Sequence, residues 1–195
     1  MAKQNAILTC NKSETSSGNE IVTVADVKAY NYISGSDLDT IFASLIPAAR
    51  YWIEEYLNKS ITPKNLVCTL FNDGTFSQLM PYGFIGTISK VERRFYPLDT
   101  WVDISALTTE WEIQENKQFY AYQPAYYRIT YVTNPDLTGL DQIKTAMKQL
   151  VVFFNENRGD QQLYQIGNSR EAVRVVPDII KNTLQGLKEN VSWFG

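Results

Sequence analysis

Two segments with apolar side chains at three- and four-residue spacing bracket a stretch that alternates with period two, and this limits the chain to few folds. Over residues 37–57, Leu38, Ile41, Phe42, Leu45, Ala49, Trp52, Ile53 and Tyr56 line one helical face. Over residues 140–158 the same spacing links Ile143, Ala146, Met147, Leu150, Val151 and Phe154. Between them, residues 64–133 read as strands. The expected fold class is α+β: a mainly α-helical bundle of two long antiparallel helices, with short N- and C-terminal helices and a β-meander insert.

Local signals set the expected boundaries. Thr23 with Asp26 has the pattern of an N-cap and an acid at the third helical position, opening a short helix to about Tyr30. Gly35 breaks the chain, and Ser36 or Asp37 is the expected cap of the first long helix. Pro47 lies inside that helix, at a cost of about 3 kcal/mol. Eight apolar side chains, worth roughly 1.5–3 kcal/mol each on burial, outweigh it, so one kinked helix is expected rather than two. Leu66–Phe71 reads as a strand, Asn72-Asp73-Gly74 as a turn, and 75–79 as its returning partner. Residues 85–93, 109–114, 118–122 and 126–132 complete the meander. Thr138 and Asp141 have capping-box spacing ahead of the second long helix. Pro177 suits the start of a final helix whose inner face would be Ile179, Ile180, Thr183, Leu184 and Leu187.

Residues 1–20 read as a flexible arm, because the polar run 11–20 cannot bury enough apolar area to offset its ordering entropy. The alternation in Ala6-Ile7-Leu8-Thr9-Cys10 leaves open an arm that orders against a neighbour. Residues 21–195 then form a single domain, with the insert at about 64–133 and the C-terminal helix and tail at about 177–195.

The chemistry is limited by what is missing. The 195 residues include no histidine, which removes the commonest general base and metal ligand. No phosphate-binding glycine loop or nucleophile elbow is present. Glu54 and Glu55 are neighbours on a helix and diverge by about 100°, so they cannot serve one substrate. The expectation is no catalytic residue, no cofactor and no metal. Cys10 and Cys68 have no metal-ligand spacing, and both read as free thiols. Net charge is −3, and the densest basic cluster, Lys90, Arg93 and Arg94, is broken by Glu92. That pattern fits a solvated strand edge rather than a phosphate clamp. No apolar run is long enough to span a membrane.

Aromatic residues are abundant: twelve Tyr, nine Phe and four Trp. The group Tyr120, Tyr122, Tyr126, Tyr127 and Tyr131 supports an alternative reading, a small soluble binding module with a tyrosine-rich sheet surface for a ligand. Trp193 and Phe194 sit on a tail beyond Gly186 and Asn190, where a helix should weaken.

Three stretches in order resemble the head–tail connector (adaptor) proteins of tailed bacteriophages. Val22 to Tyr30 is similar to that family's opening short helix. Ala48-Ala49-Arg50 through Ile53-Glu54-Glu55-Tyr56 is similar to the core of its first long helix. Ile143-Lys144 through Phe154-Asn155-Glu156-Asn157-Arg158 is similar to its second, and Pro177 with a final helix follows. The resemblance spans about residues 21–190, with the insert alike in layout only. It implies a structural virion protein without enzymatic activity, assembled in the host cytoplasm and placed in the neck. It implies a homo-oligomeric ring, commonly twelvefold, with the portal on one face and the next tail component on the other. DNA would pass through the lumen without specific binding, and no membrane is involved. In such a ring Val191, Trp193 and Phe194 would be partner-binding residues that anchor into the portal.

Overall fold

The computed structural model describes residues 6–14, 20–157 and 176–187. The chain divides into two compact units, one built from residues 1–18 and 59–136 and the other from 19–58 and 137–195.

The first unit is all β. Its strands are β1 (Ala6–Glu14), β2 (Lys64–Asn72), β3 (Gln78–Leu79), β4 (Ile85–Arg94), β5 (Val102–Asp103), β6 (Trp111–Gln114), β7 (Gln118–Ala121) and β8 (Ala125–Thr133). They make a five-stranded antiparallel sheet in the order β1-β2-β8-β4-β5 and a three-stranded one in the order β3-β7-β6. β2 and β8 each bury every second residue, as the pleat requires. Leu66, Cys68 and Leu70 therefore meet Tyr127, Ile129 and Tyr131 in a core that Met80, Val91, Ile104 and Phe119 complete.

The second unit is helical, with α1 (Val24–Tyr30), α2 (Asp39–Leu57), α3 (Leu140–Glu156) and α4 (Asp178–Gln185). α2 packs on α3, α1 on both, and α4 on α3. Its core joins Phe42, Ile46, Ala49 and Ile53 of α2 with Ile143, Met147, Leu150 and Phe154 of α3 and Ile180 and Leu184 of α4. α2 runs unbroken through Pro47. Thr23 caps α1 in a reciprocal box: its backbone N–H donates to Asp26 Oδ2 at 2.8 Å, and the Asp26 N–H donates to its hydroxyl at 3.2 Å. Those bonds to Thr23 hold the Asp26 carboxyl below its ordinary range.

The fold class differs from the expectation of a mainly α-helical bundle with a β-meander insert. The described residues are organised mainly by β-structure, with eight strands in two antiparallel sheets and four helices of seven to nineteen residues. The reason lies in long-range pairing. β1 comes from the N-terminal segment and pairs with β2 far along the chain. β8 lies between β2 and β4 instead of closing a meander. β2 does not pair with the segment that follows its turn, because β3 pairs with β7. The strands β3 and β5, two residues each, are too short to show a period.

Smaller corrections have equally local causes. Leu38, not Ser36 or Asp37, is the N-cap of α2, and α3 has Gly139 as its N-cap with no side-chain cap. Gly139 takes φ +73°, and a Cβ there would run into the Leu187 side chain, so backbone conformation and packing outrank the Thr138–Asp141 box at that start. On α2, Ile46 is buried and Leu45 is not fully so, while on α4 Ile179 is exposed. Cys10 and Cys68 are not free. They face each other in the β1–β2 register, with Cα atoms 4.0 Å apart, and are joined by a disulfide.

Candidate functional site

The β4–β5 hairpin of the first unit ends in a tip of exposed apolar side chains. Tyr96-Pro97-Leu98-Asp99 is a β-turn in which the Asp99 N–H donates to Tyr96 O at 3.1 Å and the Tyr96 N–H to Asp99 Oδ2 at 3.0 Å. Proline at the second position presets the φ that this turn needs. Leu98 at the tip is 98% exposed, with Phe95, Tyr96 and Val102 exposed around it. The tip was missed in the sequence, although Tyr-Pro-Leu-Asp between large apolar residues is a turn signature.

A set of charged and aromatic contacts holds the base of this hairpin. Glu92 accepts from Arg128 through both oxygens, at 2.6 and 2.8 Å, and from Lys90 at 2.8 Å. The Arg128 guanidinium, followed by Lys90, keeps the Glu92 carboxyl below its ordinary range, and Glu92 raises Arg128 in return. Trp101 lies under two cations, Arg94 at 4.4 Å and Arg128 at 4.8 Å from its ring centre. Arg93 pairs with Glu110, donates to Gln123 Oε1 at 3.0 Å and lies 4.9 Å from the Phe95 ring centre. The basic cluster Lys90, Arg93 and Arg94 is therefore engaged by carboxylates and rings, which leaves a tip with little net charge.

The tyrosine cluster does not form one surface. Period two sends Tyr127 and Tyr131 into the core and Tyr126 to the opposite face. The Tyr127 hydroxyl donates to Gln123 O at 2.8 Å and that of Tyr131 to Pro81 O at 3.1 Å. Burial pushes Tyr127 up to about 12 and raises Tyr131 as well. Tyr120 meets Tyr122 edge to face at 5.0 Å and donates to Gly74 O at 3.1 Å. Of the five, Tyr122 is the one classed as exposed.

In the second unit, Glu54 lies on the inward face of α2. It is fully buried, and Arg50 Nη1 donates to it at 2.8 Å. Arg50 Nε also donates to both Glu20 oxygens, at 3.1 and 3.2 Å. Val191, Trp193 and Phe194 lie outside the described residues. Among the described residues, no three acidic or cysteine side chains are grouped to hold a metal ion, and no helix is long and apolar enough to cross a membrane.

Comparison with known proteins places this architecture. Residues 20–185 match the family model of the head completion protein. Solved structures that share the fold include three from gene transfer agent particles. One is from the neck of an empty gene transfer agent particle computed with C6 symmetry, at TM-score 0.63 and 14% identity, covering 96% of this chain and 99% of that one. The others are from a native gene transfer agent virion and from a native particle's neck computed with C12 symmetry, each at TM-score 0.60, 15% identity and the same coverage. No curated protein matches. The chain belongs to the head completion protein family. That membership is in line with the resemblance to head–tail connectors.

Proposed function

We propose that the chain forms a homo-oligomeric ring of twelve copies between the portal and the next tail component. Its lumen passes DNA without specific binding, and it catalyses no reaction. The observation that carries this reading is the family match over residues 20–185. The similar structures come from particle necks computed with C12 and C6 symmetry, which supports the ring. The exposed apolar tip around Leu98 adds support, since a lone soluble domain gains nothing from such a patch. Residues 21–195 act as one connector domain in this scheme, and Val191, Trp193 and Phe194 anchor the tail in the portal.

Mixing the purified chain with its portal and imaging the product tests this. A ring of density on the portal is expected, and absence of any complex at micromolar concentrations overturns it. Deleting residues 191–195 should abolish docking and leave the melting temperature unchanged. A drop of several degrees with normal docking of the folded fraction would return those residues to the core.

A further inference from the structure

We infer that β1 is an exchangeable arm: in the assembled ring, Ala6–Glu14 of one copy pairs with Lys64–Asn72 of the next, in the register it keeps within one chain. This deepens the ring reading and rests on it.

Four observations carry it. First, β1 is terminal in the sheet order, with β2 on one side and no strand on the other among the described residues. Its removal breaks no other pairing, whereas β2, β8 and β4 are each held from both sides. Second, β1's main contacts are the β2 ladder and the core beneath it, where Ile7 and Cys10 pack. A neighbour's β1 offers the same residues to the same groove, so exchange conserves every contact and is a low-cost route to association. Third, β1 is joined to α1 only through positions 15–23, a span of at most about 30 Å when extended. Fourth, donating one arm and receiving another is a head-to-tail contact, which is the kind that closes rings; a self-complementary patch would stop at a dimer.

The register supplies its own reporter, because Cys10 stands opposite Cys68. The protein is reduced, assembled on its portal, and then treated with oxidised glutathione, which takes up the two electrons and two protons released as each thiol pair becomes a disulfide. The rings are counted by electron microscopy, and the chains are run on a denaturing gel without reductant. Exchange predicts that the monomer band gives way to a ladder of covalent multimers. It also predicts that rings co-assembled from Cys10→Ser and Cys68→Ser chains yield a covalent dimer containing one of each, since neither can close a bridge within itself. Rings that yield only monomer bands overturn the exchange and leave the ring standing. Absence of rings overturns both.

Discussion

In β8 every second side chain from Ala125 to Thr133 is buried, and in β2 the same parity carries Lys64 and Asn72 inward with the apolar residues. In α2 the buried face includes Arg50 and Glu54 among Phe42, Ile46, Ala49, Ile53 and Leu57. The strand shows a backbone that decides orientation regardless of chemistry. The helix shows a face whose position is shared between packing and an ion pair. Apolar spacing alone predicts the first and misplaces the second, because a helix can rotate to bury a paired charge while a pleat has two faces only.

The largest effect is expected of Arg50→Met. Removing the cation beside fully buried Glu54 should cost about 3–5 kcal/mol, read as a loss of urea stability. A change within experimental error would mean that apolar packing alone sets the face of α2. Leu150→Ala comes next. Leu150 is fully buried on α3, and the truncation should cost on the order of 2–5 kcal/mol; a loss under about 0.5 would remove α3 from the core.

The sheet unit has a titratable counterpart. Tyr127 is buried by strand parity, and its hydroxyl is raised from 10.0 to about 12. A raised folded value means that the stability is fully present below pH 10 and is lost as pH rises toward 12. The loss should reach about 2–3 kcal/mol, at 1.36 kcal/mol per unit, and Tyr127→Phe should flatten that alkaline limb. The smallest effect belongs to Arg128→Gln. Arg128 is partly exposed, so its pair with Glu92 should contribute only about 0.2–1 kcal/mol. Glu92 is held low, so this stability is present above its ordinary value of 4.5 and lost on acidification below it. A variant with an unchanged acid limb would show that the Glu92–Arg128 bond contributes nothing.

Legibility follows the same physics. The apolar periods located the segments that became α2, α3, β2 and β8, and Thr23-x-x-Asp26 marked α1 because its cap is completed within four residues. The sheet order was not legible. Nothing near β1 reveals that its partner is β2, and nothing near Cys10 reveals Cys68, 58 residues away. The two-residue β3 and β5 carry no period. The apolar tip at Leu98 was readable as a turn but not as an exposed surface, since exposure depends on what the sheet leaves uncovered. The tail residues Val191, Trp193 and Phe194 remain a matter of sequence and proposal.

The Asn72-Asp73-Gly74 turn bears on how long the protein lasts outside a cell. An Asp-Gly step ages when the glycine nitrogen attacks the aspartyl carboxyl and closes a succinimide, which then opens to isoaspartate. Here the attacking N–H is occupied, donating to Asn72 Oδ1 at 2.7 Å. The Thr75 hydroxyl and N–H bind the Asp73 carboxyl at 2.5 and 2.9 Å and hold it below its ordinary range. An ionised carboxylate is a poor electrophile, and both reacting groups are turned to other partners. A particle that waits for a host has no means of repairing its proteins, and this turn places an Asp-Gly step on the surface in a form that slows its chemical clock.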